Sequence, residues 1–262
     1  MLRAAGCVYA EDEADLLLST ATTQDHLEQL VLLRVQGVPL EQILGWAEFA
    51  GLRIAVAPGV FVPRRRTELL LQQALALAPA EPVVLELCCG SAALSVALAA
   101  HLKQAELYAS DIDPAAVRCA GHNLASLRGV VGVFEGDLYD ALPPSVAGRV
   151  DLVLANAPYV PTGAIRLMPP EARLYEPPVA LDGGSDGLDI QRRIVAGARQ
   201  WLAPTGWLLL ETSQSQASGL VATFQHHGLA AQIVISDELD ATAVIGRGQG
   251  VASRDIPTEG GH

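Results

Sequence analysis

From Thr67 onward the chain alternates short apolar runs with longer amphipathic ones, which restricts it to a mostly parallel sheet covered by helices on both faces. A helix at about 67–78 precedes a strand at 83–88, and a second helix runs from near Ser91 to about 101. A strand at 106–110 follows, then a helix from Pro114 to Leu127, where proline suits the first turn. Strands are expected at 130–135, at 150–155 and over Trp207 to Glu211, with a helix at 189–202 before the last of these. A helix at 214–227 leads to strands at 231–235 and 241–246, close enough to form an antiparallel pair at the sheet edge. The expected fold class is therefore α/β, doubly wound around a mostly parallel, seven-stranded sheet.

Ahead of this domain, apolar residues at 14, 16, 17 and 18 and at 27, 30, 31, 33 and 35 predict two short helices joined at Ser19 to Asp25. Gly37-Val38-Pro39 ends that unit, and Trp46 to Val62, with glycines at 51 and 59, predicts a hairpin. The expected organisation is a helical unit over 1–45, a linking hairpin over 46–62, the main domain over 63–250 and a disordered tail over 251–262. The proline- and glycine-rich stretch 157–188 reads as a long surface loop or lid.

Half of the 262 residues are hydrophobic, enough for a sizeable core, while 29 acids against 17 bases give a formal charge of -12. That balance disfavours extended nucleic-acid binding. Arg64-Arg65-Arg66 is the strong local basic run, either a solvated face or a contact for an acidic partner. Cysteines at 7, 88, 89 and 119 form no secretory framework, and Cys88 and Cys89 read as buried at a strand end. The scattered histidines predict no metal site. Acids at 11, 12, 13 and 15 oppose a signal peptide; Glu86 and the Gly90-Ser91 break oppose a membrane span over 83–100. A cytoplasmic protein, monomeric or weakly dimeric, is expected.

The stretch Val83 to Leu94 is a strand, a tight turn and a helix start, and in such sheets ligands bind beyond the carboxyl ends of the strands. Gly90 permits positive φ or close backbone approach, and the first helix amides can face an anion. Ala92 stands where a second glycine would strengthen the pattern; its methyl is tolerable at negative φ but would narrow the cleft. Asp111, about twenty residues beyond Gly90, is placed to accept from ribose hydroxyls. Asp113 reads as the cap of the next helix, and Asp137-Leu138 as either an adenine frame or an ordinary turn. With no GxxxxGK[ST] loop and no full GxGxxG, a zwitterionic sulfonium nucleoside fits this site better than a triphosphate or a nicotinamide. Its amino acid end would meet Glu86 and the turn amides.

Asn156-Ala157-Pro158-Tyr159 follows the apolar run Asp151 to Ala155 and suits a planar amide or amine. Asn156 carries both an acceptor and a donor, the Asn156 and Ala157 carbonyls can accept from a substrate NH2, and Tyr159 can wall a planar group. An Asx turn ahead of proline is the structural alternative.

These features, with Pro39 to Trp46, Phe61-Val62-Pro63, Thr67-Glu68 and Glu176 to Gly187, resemble the protein-(glutamine-N5) methyltransferase family over roughly residues 10–250. The resemblance implies the class I S-adenosylmethionine-dependent methyltransferase fold, S-adenosylmethionine as donor, S-adenosylhomocysteine as product and no metal. It implies cofactor contacts from Phe61, Pro63, Thr67, Glu86, Leu87 and Cys88, from Gly90, Ser91, Asp111 and Ile112, and from Asp137, Leu138 and Asn156. It implies catalytic roles for Asn156, Pro158 and Tyr159, and substrate contacts from these, Ala157, Arg65 and Arg66. The acceptor would be a glutamine in a protein, a peptide-chain release factor being the family's example, gripped in part by the helical N-terminal unit. Ala157 replaces a proline of the family pattern, Ala92 a glycine, and Arg65 and Arg66 a proline and an acid. A small-molecule amide or amine, a nucleobase exocyclic amine and a non-catalytic binding role stay open as alternatives.

Overall fold

The computed structural model describes residues 1–248; the tail predicted over 251–262 lies outside them. The helical unit comprises α1 (Ala10–Thr20) and α2 (Gln24–Val35). The Thr23 side chain caps α2 by accepting from the His26 amide at 3.2 Å. A further short helix, α3 (Leu40–Leu44), is not foreseen by periodicity; Pro39 precedes it and Gly45, at φ 78°, ends it. Leu17 and Leu30 pack with Ile43 and Leu44 in a cluster of their own. Arg34 is buried, its Nε 2.6 Å from Glu13 of α1, so the two helices are joined by charge as well as by apolar contact.

The hairpin is shorter than predicted: β1 (Trp46–Phe49) and β2 (Leu52–Ala55) pair antiparallel, and 56–62 is irregular. Ala50 and Gly51 both take positive φ, 50° and 72°, which is the two-residue turn that matches strand twist. Asn123, on α6 (Pro114–Leu124), bonds both the amide and the carbonyl of Ala55 at 2.9 Å and so rivets the hairpin to the main domain.

The main sheet contains β3 (Val83–Leu87), β4 (Glu106–Asp111), β5 (Val130–Glu135), β6 (Val150–Ala155), β7 (Leu202–Thr212), β8 (Leu229–Ser236) and β9 (Ala241–Gly248). Its order is β5-β4-β3-β6-β7-β9-β8, with β9 antiparallel to both of its neighbours and the other pairings parallel. The expected C-terminal pair is present, and β8 forms that edge. Strand β7 begins earlier than Trp207 because Leu202 pairs with Val150 before a register shift. The helix from Pro114 stops at Leu124 rather than Leu127.

Alternation along the strands explains the two-sided core. Val153, Leu208 and Leu210 face one cluster with Ile194 of α8 (Asp189–Trp201) and Phe224 of α9 (Gln214–His226). Leu152, Leu154 and Leu209 face the other, with Leu70 of α4 (Glu68–Leu77) and Leu94 and Leu98 of α5 (Ala93–His101). The apolar stretch 83–100 is thus β3 and α5, and no helix among the described residues is long and apolar enough to cross a membrane. Successive strands run outward from β3 to β5, and β6 then returns to the other side of β3. The point between β3 and β6, where the order reverses, is where such sheets open a ligand crevice.

Residues 157–188 are more ordered than a bare loop. They contain α7 (Pro170–Tyr175), two 3-10 helices (Thr162–Leu167 and Pro178–Ala180) and a parallel bridge from Val160 to Asp182. Glu176, nearly fully buried, accepts from the Val62 amide at 3.3 Å and pairs with Arg64. Arg34 reaches Glu171 of α7 at 2.5 Å, so the segment is tied to the N-terminal unit as well.

Candidate active site

A cleft opens at the carboxyl ends of β3, β4 and β6. Phe61, Pro63, Thr67, Glu86 and Cys88 line it, as do Gly90, Ser91, Asp111, Ile112, Asn156 and Pro158. A contiguous recess shares Cys88, Asp111, Ile112 and Pro158 with the cleft and adds Asp137 and Leu138. Most of the residues assigned to the cofactor in sequence therefore line one or the other of these two recesses. Leu87 does not: its side chain is fully buried in the core beneath the turn.

Backbone conformation shapes the cofactor end. Cys88, Gly90 and Ala92 all take positive φ, at 51°, 55° and 59°, and Leu138 does so at 52°. For non-glycine residues this is strained, and such strain gathers at ligand sites. The turn presents the Gly90 amide to Asp111 Oδ2 at 2.8 Å, while Asp111 Oδ1 accepts from the Asp113 amide at 2.9 Å. Asp113 caps α6 through the Ala115 amide, as its sequence position predicts. Helix α5 starts at Ala93, not Ser91, because Ala92 is left-handed. The condition of negative φ for Ala92 is thus not met. Nor does its methyl narrow the cleft, since it is fully buried against Cys89, Ala109 and Ala120.

Glu86 is almost fully buried at the cleft floor, where Ser95 donates to Oε2 from its amide at 2.8 Å and from its hydroxyl at 2.5 Å. Burial pushes its carboxyl up to about 7, the Ser95 hydrogen bonds opposing the shift and the charge of Asp111 adding to it. Burial likewise raises the carboxyl of Asp111 and the thiol of Cys88, so Cys88 is a neutral wall of the cleft. Asp137 accepts from Arg193 at 2.7 Å through Oδ2. A buried carboxyl, Glu86, and an aspartate, Asp111, thus line one cleft, and the amides of Cys89, Gly90 and Ala92 in the turn between them are satisfied within the protein. Among the described residues no group of three or more His, Cys, Asp or Glu could hold a metal ion.

At the acceptor corner, Asn156 leaves β6 and its Nδ2 donates to Thr67 Oγ1 at 3.1 Å. Pro158 lines the cleft, whereas the Ala157 side chain is buried. Tyr159 is turned from the cleft wall: its hydroxyl donates to Glu211 Oε1 at 3.2 Å, and its carbonyl accepts from Gln216 at 2.9 Å. The arginine run is engaged within the chain. Arg64 pairs with Glu176 and lies over the Phe61 ring, Arg65 is 3.5 Å from Glu238, and Arg66 Nε is 3.4 Å from Glu211. Some contributors are given no site role by sequence. Glu211 reads there only as the end of a strand, and Pro177, Val179 and Ala180, which line the cleft, belong to a segment that carries the family resemblance but no assigned contact. The signal for the wall is the Glu176 to Gly187 segment, of which Pro177, Val179 and Ala180 line the cleft.

Residues 51–168 match the methyltransferase small domain family model. A release factor glutamine methyltransferase from Geobacter sulfurreducens is 39% identical over 83% of this chain and 75% of its own length. A 4-amino-L-phenylalanine/4-methylamino-L-phenylalanine methyltransferase from Streptomyces pristinaespiralis is 36% identical over 87% of this chain and 79% of its own. A solved methyltransferase from Pyrococcus furiosus shares the fold with a TM-score of 0.57 at 14% identity, covering 75% of this chain and 89% of that one. With the strand-end acids and the Asn156 corner opening on one cleft, these likenesses make the chain an S-adenosylmethionine-dependent methyltransferase belonging to the release factor glutamine methyltransferase family.

Proposed function

We propose that this enzyme methylates the side-chain amide nitrogen of a glutamine in a peptide-chain release factor, with Asn156 orienting the amide. The carrying observation is that Asn156 and Pro158 line the same cleft as Glu86 and Asp111, so that acceptor and donor groups meet in one space. S-adenosylmethionine, when bound, supplies an electrophilic methyl carbon on sulfur and leaves as S-adenosylhomocysteine. Glu86 holds its amino acid end, Asp111 the ribose, and Asp137 with Leu138 the adenine. Asn156 and the Ala157 carbonyl accept N–H bonds from the glutamine NH2. This aligns a poor nucleophile whose lone pair is delocalised and keeps water from competing. With the cofactor held there, its sulfonium would give up the methyl group to the amide nitrogen and become a neutral thioether, and the proton lost from nitrogen would pass to solvent, because Asn156 and the Ala157 carbonyl orient the N–H groups but are too weakly basic to keep it.

Tyr159 acts as a brace for this corner, since its hydroxyl is committed to Glu211. Residues 1–45 are the recognition unit for the protein partner. Their own apolar cluster, braced by the Arg34 pair with Glu13, and the Arg34 contact to Glu171, which joins that unit to α7, support this. Incubating the enzyme with labelled cofactor and release factors, followed by peptide mapping, tests the assignment; the expected result is label on glutamine alone. The Streptomyces pristinaespiralis relative supports a second reading, a free aromatic amine as acceptor, so 4-amino-L-phenylalanine belongs in the same assay. Label on that amine with none on glutamine would select the second reading.

A further inference from the structure

Arg193 lines the recess that contains Asp137 and Leu138, and it has no part in the reading above. It is carried by α8, where Ile190, one turn earlier, lines the same recess, so one face of that helix closes it. Ile112, Leu138, Val179 and Ile190 make much of the lining apolar, and Asp111, Asp137 and Arg193 supply its charge. An apolar space with a few placed polar groups suits a flat heterocycle.

The Asp137 carboxylate is drawn away from its ordinary use. An aspartate at the head of a helical turn commonly accepts from the amides that follow, as Asp113 does from Ala115. Asp137 heads the 3-10 turn Leu138–Ala141 and makes no such bond. Its Oδ2 instead accepts from Arg193 Nη2 at 2.7 Å, and its Oδ1 receives no hydrogen bond among the described residues. The backbone beside it is fixed: Leu138 takes positive φ, at 52°, and its carbonyl accepts from the Ser110 hydroxyl at 3.2 Å. One carboxylate oxygen is thus held by the guanidinium, and the other is free on a side chain that lines the recess.

A carboxylate oxygen only accepts, so a free Oδ1 selects a base edge that donates. The exocyclic amine of a 6-aminopurine donates, whereas a carbonyl in its place would set two acceptors against each other. We infer that Arg193 is a positioning residue for the base of the cofactor: by holding Oδ2 it keeps Oδ1 available to the recess, which then takes a 6-aminopurine in preference to a 6-oxopurine. The inference rests on the assignment of Asp137 and Leu138 to the adenine. Without the guanidinium, the carboxylate can turn to the amides of the 138–141 turn and cap it, as Asp113 caps α6. The pair is half-exposed, 51% at Arg193 and 41% at Asp137, so by itself it adds little to folding. A base seated over it excludes water and strengthens it.

The test is calorimetry with S-adenosylhomocysteine and with its 6-oxo counterpart, S-inosylhomocysteine, on the full chain and on Arg193→Gln, Arg193→Lys and Asp137→Ala. The starting protein should bind the amino compound about 30-fold more tightly, the scale of discrimination that one well-paired base edge provides. Asp137→Ala should reduce that ratio to about threefold or less. Arg193→Gln should weaken the amino compound about tenfold and the oxo compound by less than about threefold, and Arg193→Lys, which keeps a charged donor, should recover part of the loss. Melting temperatures of the Arg193 variants should stay within about 3 °C of the starting protein. A structural or general electrostatic role would move both Kd values together, so an unchanged ratio in Arg193→Gln overturns the inference. A starting ratio near one, or a preference that survives in Asp137→Ala, would mean that Asp137 does not meet the base, and the underlying assignment fails as well. If Asp137→Ala loses the preference and Arg193→Gln keeps it, only the role of Arg193 fails.

Discussion

The two ends of the cleft are built by different means. At the cofactor end, the residues from Cys88 to Ala92 are bent through three positive-φ positions, and backbone amides hold the geometry: that of Gly90 fixes Asp111 and that of Cys89 bonds the Ser110 carbonyl. At the acceptor corner the backbone is ordinary and side chains hold one another: Asn156 on Thr67, Tyr159 on Glu211, Gln216 on the Tyr159 carbonyl. Preformed backbone is suited to binding, because it loses little freedom when a ligand arrives. A side-chain lattice is suited to alignment, where small displacements act on the reaction rather than on affinity. Damage at the two ends should therefore appear in different quantities.

The largest separation should come from Asn156→Ala. Loss of the group that aligns the acceptor should lower kcat about 100-fold, on the scale of removing one positioned polar group, while cofactor Kd moves by less than about threefold. Asp111→Ala should do the reverse. It removes a charged acceptor for the ribose and the partner of the Gly90 and Asp113 amides, costing about 2 kcal/mol, or roughly 30-fold in cofactor Kd. At saturating cofactor, turnover should largely return. Calorimetry for Kd and steady-state assays for kcat separate the two. Equal losses in both quantities for either variant would erase the distinction between the ends.

A smaller effect sharpens the cofactor side. Burial holds the Glu86 carboxyl near 7 in the folded protein, above its ordinary 4.5. Between those values the folded state keeps a proton that the unfolded state releases, so this group's contribution to stability falls as pH rises through the window and stays lost above about 7. A ligand ammonium reverses the preference by favouring the carboxylate. Cofactor affinity should then tighten about tenfold from pH 6 to pH 7.5, with proton release on binding. Asp111 is raised by burial too, so Glu86→Gln is the control that assigns the slope. A slope surviving in Glu86→Gln would move the effect to Asp111.

The same contrast explains what can be read from sequence. The alternation from Thr67 determines seven strands, and a strand–turn–helix at Val83 to Leu94 followed by Asp111 is local enough to show the cofactor end. The acceptor corner shows only its exposed face. Asn156 meets Thr67 across 89 residues and Tyr159 meets Glu211 across 52, and such contacts depend on strand order, which hydrophobic spacing does not encode. Arg64 to Arg66 read as a basic surface because their acids, Glu176, Glu238 and Glu211, are distant in sequence. Helix α3 escapes for another reason: five residues between Pro39 and Gly45 span little more than one turn, too short for a period to appear.

The finest test of backbone against side chain is Ala92→Gly. Relief of the left-handed alanine is worth about 1–2 kcal/mol. Against it stand the loss of a buried methyl, about 0.8 kcal/mol, and the greater freedom of glycine in the unfolded chain, about 0.4–1 kcal/mol. These nearly cancel, so the melting temperature should move by less than about 3 °C. Because the methyl packs on Cys89, Ala109 and Ala120 rather than on the cleft, contact alone predicts a cofactor Kd within about threefold of the starting protein. Calorimetry decides between contact and conformation. A Kd more than about tenfold tighter would mean that the alanine holds the Cys88 to Ala92 turn away from its binding shape, and that backbone conformation governs this end of the cleft more strictly than its hydrogen bonds do.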